Sequence, residues 1–231
     1  MIFVNNNFMI VKPNNSIIMR IIAVFLQFIC FSGCILAQDM KPITLNPPDL
    51  KRGLPVMEAF SLRASATEFN DKKLTLQDLS DLLFAANGIN RKDVSKRTAP
   101  SAMNAQDIDI YVFMQEGIYF YDAAKSILNQ IVAGDQRLIV AGRQEAFAKA
   151  PVMLLLVSDI SRFKMADDAA KLDAAGKDAG IVSQNINIFC AGTGLITRPR
   201  GTMDLEKIRS ILKLKESQRP MLNNPVGYPV K

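Results

Sequence analysis

The sequence predicts one α+β domain behind a short N-terminal leader. Three stretches of the 231-residue chain carry that prediction. A strand–turn–strand segment spans 108–121, a continuous apolar run fills 152–158, and a helical stretch extends from 167 to 191. The hairpin needs a sheet to join, and a run apolar at every position suits a strand covered on both faces. Helices packed on such a sheet give the α+β class, and the length is ample for one buried core.

Taken in chain order, residues 1–37 differ from the rest. They contain no acidic residue and only Lys12 and Arg20 as charges. The apolar centre Ile21–Phe31 is followed by the small residues Ser32 and Gly33, the pattern of a secretory signal. It is shorter than the roughly 20 residues that span a bilayer. Met19 directly precedes it and is a second candidate start, with residues 1–18 outside the translated chain. Two processing routes are open: cleavage after Ala37, or acylation of Cys34 within Phe31-Ser32-Gly33-Cys34, which is similar to a bacterial lipobox. Either route predicts an exported protein, periplasmic or extracytoplasmic, touching membrane only through the leader or a lipid tether.

Residues 38–56 hold four of the eleven prolines and read as an extended arm ahead of a domain at 57–231. A short amphipathic helix is expected over Val56–Leu62. Thr75, with Asp78 three residues on, is a capping-box variant that starts a second helix. Leu76, Leu79, Leu82, Leu83 and Ala86 line one face of it, and Asn87-Gly88 ends it. A polar loop leads to strands at 108–113 and 118–121, joined by Gln115-Glu116-Gly117. Gln144–Lys149 reads as helix, stopped by Pro151 before the buried strand. The helix of 167–191 mixes Ile181, Ile188 and Cys190 with Gln184, Asn185 and Asn187, a face suited to an oligomer contact. A last helix is expected over 204–214, and Pro220–Pro229 reads as an extended, strand-like end.

Composition narrows the chemistry. The chain has no His and no Trp, and its three Cys form no CxxC pair. Ser-His-Asp and Cys-His catalysis are therefore excluded, as are imidazole metal sites and Cys-rich zinc modules. The net charge of +6 is spread out, with no basic run interleaved with aromatics, which argues against nucleic acid. Cys190 sits in an apolar helical context and reads as a core residue. The remaining chemistry belongs to carboxylates, Arg, Lys, amides and hydroxyls, or to a borrowed cofactor.

Two polar loops stand out. Arg63-Ala64-Ser65 follows a helix and offers a planar cationic fork and a hydroxyl, both suited to phosphate. Lys96–Gln106 combines two cations, the Pro100 bend, small residues and amides just before a strand. Small residues let a flat ring approach backbone, and amides can meet a mixed donor and acceptor edge. From composition alone, a capped turn feeding a strand is the preferred reading of the second loop.

These two loops, with several stretches in the same order, resemble the FMN-dependent nitroreductase superfamily, and within it the azoline-oxidising dehydrogenase branch and its small stand-alone relatives. The stretches are LSDLLFAANGINR (79–91), KRTAPSAMNAQDIDIYV (96–112), EGIYFYD (116–122), GRQEAFAKAPVMLLLV (142–157), DAGIVSQNINIFCAGTGLITRPRG (178–201) and NPVGYP (224–229). The resemblance implies a nitroreductase-like fold with a central mixed or antiparallel sheet, an intertwined homodimer, and FMN at the subunit interface. It implies that Arg63, Ala64 and Ser65 hold the FMN phosphate and ribityl chain. Pro100, Ser101, Ala102 and Asn104 match the segment lent by the partner subunit. Gln144 falls near the ring, and Pro199-Arg200-Gly201 matches the loop whose backbone N–H points at the flavin; Arg200 and Gly201 are counted among the cofactor-binding residues. The helix 178–191 would form the dimer core. Phe84, Tyr119 and Tyr121 are aromatic candidates for a substrate wall.

The chain departs from better-known members at Thr67, where they place Lys, and at its C-terminal end, where their basic residues are nearly absent; Arg97 or Arg200 are candidate substitutes. The Lys-Tyr pair associated with azoline oxidation is not identifiable. The implied activity is hydride transfer between flavin and a small electrophile or heterocycle, with NAD(P)H or another reductant as donor and no catalytic protein residue. The alternatives are an azoline or peptide-heterocycle dehydrogenase, and a non-catalytic exported flavin- or ligand-binding module.

Overall fold

The computed structural model describes residues 40–230, so the leader and its processing lie outside the described residues. In chain order the elements are β1 (Ile43–Thr44), α1 (Val56–Leu62), α2 (Leu76–Asn87), β2 (Ile89–Arg91), β3 (Lys96–Arg97), β4 (Ile108–Met114), β5 (Gly117–Asp122), β6 (Ile127–Ala133), α3 (Arg137–Ala141), β7 (Val152–Asp159), α4 (Asp168–Thr193), β8 (Ile196–Thr197), α5 (Leu205–Ile211) and β9 (Gln218–Gly227). Short 3-10 turns occupy Ala102–Asn104, Glu145–Lys149 and Ile160–Arg162, so the helix expected over 144–149 is a 3-10 turn.

Seven strands form one sheet in the order β1-β6-β5-β4-β7-β9-β8. Every strand pair in it is antiparallel, which settles the mixed-or-antiparallel alternative. The apolar run of β7 lies at its centre between β4 and β9, and its side chains alternate between two cores. Leu154 and Leu156 join Ile110, Val112, Leu82, Leu83, Val182 and Ile186 beneath α2 and α4. Met153, Leu155 and Val157 point the other way, onto Phe113, Val140, Phe147 and Ile208. A strand buried on both faces needs apolar residues at every position, which explains the unbroken run.

The N-terminus of α2 is a full capping box. Thr75 Oγ1 accepts from the Asp78 N–H at 3.0 Å, and Asp78 Oδ2 accepts from the Thr75 N–H at 3.2 Å. Leu79, Leu82, Leu83 and Ala86 are buried as expected, but Leu76, the first residue of the helix, is 41% exposed. Gly88 closes the helix with its N–H on the Phe84 carbonyl, where any Cβ would lie 2.7 Å from Phe84 Cα.

Helix α4 has 26 residues, about 39 Å of helix, capped by Asp167 and by Gly194 in the left-handed region. Its polar residues find partners within the chain. Ser183 Oγ donates to Asn224 Oδ1 at 2.9 Å, and Asn187 Nδ2 donates to the Ser183 carbonyl at 2.9 Å. Asn185 Nδ2 reaches the Ala86 carbonyl at 3.3 Å. Of the mixed face, Asn185 is tied to α2 and Asn187 to its own helix, while Gln184 is exposed.

Candidate functional site

The sequence-selected residues fall into two groups, one beside the C-terminal end of α4 and one beside its middle, at Asp178. The first begins where α1 stops. Ala59, the buried residue of α1, packs against Gly192 near the end of α4, and the Leu54 N–H donates to the Gly192 carbonyl at 2.9 Å. The chain then turns through Arg63-Ala64-Ser65 and is fastened to β8. Ser65 forms a parallel bridge with Thr197, and the Ala66 N–H donates to the Thr197 carbonyl at 2.9 Å. Thr197 is held in turn, its hydroxyl donating to the Pro225 carbonyl at 2.8 Å. The backbone of this turn is thus fixed, while Arg63, Ala64 and Ser65 are exposed. Neither the Arg63 guanidinium nor the Ser65 hydroxyl has a partner among the described residues.

Arg200 and Gln144 come together beside this turn. The Arg200 side chain is buried. It donates to Gln144 Oε1 from Nε at 3.2 Å and from Nη2 at 2.9 Å. It also reaches Asn223 Oδ1 at 2.8 Å and the Ala141 carbonyl at 2.7 Å, and covers the Phe147 ring at 4.5 Å. Burial lowers its pKa, and neighbouring Arg198 lowers it further. With its donors committed, Arg200 is a structural guanidinium rather than a free anion ligand. Arg97 is similarly engaged, on Gln106 Oε1 and the Asn87 carbonyl. The free cation here is Arg198, which lies over the Phe147 ring at 5.7 Å and meets no acidic side chain among the described residues. Sequence reasoning passed over Arg198; its place between the Thr197 anchor and Pro199 was the available signal. Gly201 is exposed, with open space where a Cβ would stand and no acceptor for its N–H among the described residues.

The second group is the 100–106 turn. The Asp178 carboxylate, on α4, accepts the Ala102 N–H on both oxygens, at 3.1 and 2.9 Å. Ser101 Oγ accepts from the Gln106 N–H at 2.8 Å. Met103, Asn104 and Gln106 all lie at positive φ, between 48° and 56°, a costly run for non-glycine residues that needs such tethers. The tip leaves Pro100 and Asn104 exposed, while Ser101 and Ala102 are half-buried. Under the turn lies Asp107, fully buried, its Oδ2 accepting from Ser158 Oγ at 2.5 Å. Burial, joined by the facing Asp178 and opposed by Ser158, pushes Asp107 up to about 7. This carboxyl pair was not read from the sequence, because Asp107 and Asp178 are remote in the chain.

From Asp178 to Gly192 the helix advances about 21 Å, so the two turns do not meet within one chain. The aromatic wall candidates lie elsewhere. Phe84 and Tyr121 line an open cleft of about 660 Å³ with Pro47 and Pro48 of the arm, and Tyr119 lines one of about 270 Å³. Cys190 is buried, and burial pushes its thiol pKa up, which suits a core residue and not a nucleophile.

Comparison with known proteins identifies the family and the fold. The model of the nitroreductase family matches residues 62–228. A protein of Methanocaldococcus jannaschii named as a nitroreductase is 29% identical over 193 residues, covering 80% of this chain and 96% of its own. Among solved structures, a protein of Ralstonia eutropha described as a nitroreductase is 31% identical with a TM-score of 0.78, covering 85% of this chain and 93% of its own. A protein of Staphylococcus epidermidis described as an NAD(P)H:FMN oxidoreductase shares the fold, with a TM-score of 0.58 at 15% identity over 80% of this chain and 92% of its own.

Proposed function

The chain belongs to the nitroreductase family of oxidoreductases, and from that premise we propose that it is an exported, FMN-dependent enzyme whose two binding sites are each shared between two copies of the chain. The observation that carries this reading is the pair of turns set apart along α4, one near its C-terminal end and one beside Asp178 at its middle. Each is anchored by its backbone and turns uncommitted polar groups to solvent, and neither is complete alone. The name of the Staphylococcus epidermidis protein supplies FMN and NAD(P)H as the candidate cofactor and donor.

The residues present fit the group. Arg63 gives a planar cation and Ser65 a hydroxyl, both without partners among the described residues, as a phosphate requires. Arg198 adds a second cation. The Gly201 N–H, with open space around it, can donate to a ring atom. From the second copy, Pro100, Ser101, Ala102 and Asn104 would close the pocket, the exposed Asn104 amide meeting a mixed polar edge. FMN, when bound, supplies the hydride acceptance and donation that no side chain here can perform. The chain's own part is to orient, to balance negative charge and to exclude water.

The twofold contact has a candidate surface. Of α1, only Ala59 is buried; Val56, Met57, Phe60 and Leu62 are 51–74% exposed on a seven-residue helix. Leu50 and Leu54 extend the patch, and so dense an apolar surface beside a half-built site calls for a partner. Export rests on residues 1–37, and the substrate is proposed as a small electrophile or heterocycle that stacks on the ring. An absorption spectrum of the purified protein tests the cofactor: visible flavin bands with one FMN released per chain support it. A colourless protein that ignores added FMN contradicts it. Intact mass of the mature protein reads the leader, cleavage after Ala37 and lipid on Cys34 giving different masses.

A further inference from the structure

We propose that a proton on Asp107, donated toward Asp178, positions the 100–106 turn, so that flavin retention depends on the protonation of Asp107. The inference rests on the reading of that turn as the part of the flavin site lent to the second copy. Both carboxyls are buried, Asp107 completely. Asp107 Oδ2 is occupied by Ser158, but Oδ1 meets no donor among the described residues. Between the carboxyls lies a void of about 10 Å³, bounded also by Asn87, Pro100 and Ser101. A space that size holds one water at most.

The charged neighbours do not neutralise the pair. Arg162, on the 3-10 turn after β7, is the near cation, and it is divided between Asp109 and Asp159 while donating to the Gln106 carbonyl at 2.8 Å. Arg97, beside the same turn, is committed to Gln106 Oε1 and the Asn87 carbonyl. On α4, Lys177 pairs with Asp173 on the exposed side. Burial, with Asp178 facing it, therefore favours the protonated form of Asp107. A proton on Asp107 Oδ1 removes the orphan acceptor, makes a donor toward Asp178, and leaves Asp178 to accept the Ala102 N–H. When pH rises and that proton passes to water, two anions face each other. Relief by movement of Asp178 takes Ala102 with it, because both Asp178 oxygens hold that N–H. Asp178 and Asp107 are thus positioning residues, acting on the turn and not on the substrate.

The test uses the full mature chain at about pH 5.5 and about pH 8.5, either side of the Asp107 value of about 7. Hydrogen-exchange protection of the Ala102 amide reads the turn without flavin, and FMN Kd reads the site. In the unaltered protein, protection is expected to fall and Kd to rise by about tenfold across this range, the equivalent of one pKa unit of coupling. Asp107→Asn, an isostere that keeps a donor toward Asp178 and cannot titrate, should hold both readouts flat. Ser158→Ala, which removes the group opposing the shift, should move the transition to higher pH. Protection that is level with pH in the unaltered protein, or that falls equally in Asp107→Asn, overturns the proposal. Should FMN fail to bind at either pH while Ala102 still switches, the Asp107 proton stands and the flavin reading fails.

Discussion

Arg63 and Arg200 lie near each other in the fold, yet their guanidiniums do opposite work. Arg63 is exposed and uncommitted, so its loss should cost the fold less than about 0.5 kcal/mol, as surface substitutions do. The proposed role in holding phosphate predicts that Arg63→Ala raises the FMN Kd severalfold or more, read by fluorescence titration, with Tm unchanged. Arg200 is the reverse case. Arg200→Ala would strand the carbonyl of Ala141 and the side-chain oxygens of Gln144 and Asn223 inside the protein. A buried acceptor left without its donor costs about 1–3 kcal/mol, a loss that urea unfolding would register as a lower midpoint. Residue chemistry alone cannot separate the two. In the sequence Arg63 reads as a phosphate ligand and Arg200 as a candidate substitute cation, and only the packing of Phe147, Gln144 and Asn223 around Arg200 tells them apart.

Among the elements, α2 carries the strongest local coupling because one residue joins three parts of the chain. Asp78 caps α2 through Thr75, pairs with Arg52 of the arm, and accepts from the Tyr228 hydroxyl just beyond β9. Burial opposes ionisation, but Tyr228, Thr75 and Arg52 together hold Asp78 down at about 2, against an ordinary 3.8. A depressed carboxylate stabilises the fold above its unfolded value and loses that contribution as pH falls toward its folded one. Asp78→Asn should therefore be less stable by about 1–2 kcal/mol near neutral pH. The gap should narrow between about pH 4 and pH 2, as Tm profiles of the two proteins would record. Elements with such local signals were legible in the sequence: the Thr75–Asp78 box, the Gly88 stop, the hairpin around Gln115–Gly117, and the unbroken β7. Strand β6 and helix α3 were not. In β6, Asn129 and Gln130 interrupt the apolar residues, and the strand exists because β5 on one side and β1 on the other supply its hydrogen bonds. Helix α3 has only five residues, held by tertiary contacts to Arg200 and α5 rather than by its own periodicity.

At the scale of the whole molecule, the sheet and α4 act as a rigid spacer. The same 26-residue helix supports the Ser65 turn at one end and the Ala102 turn further back, and it keeps them apart within one chain. The order of the matching stretches was readable in the sequence, but their separation in space was not, since spacing along a chain says nothing of which end of a helix a loop meets. If a second copy closes the site, the exposed face of α1 is the surface to perturb. Phe60→Glu places a charge in that apolar patch and should shift sedimentation from dimer to monomer, with FMN lost at the same protein concentration. A variant that remains dimeric and keeps FMN would remove α1 from the contact.

The shared site is tested most directly by mixing two defective chains. Arg63→Ala damages the turn after α1, and Asn104→Ala damages the turn proposed to come from the partner. Each variant alone should retain little FMN. After unfolding and refolding together, mixed dimers should carry one site with both defects and one with none, so FMN binding returns to the mixture. A mixture that binds no more FMN than the two variants kept apart would contradict a site built from two chains.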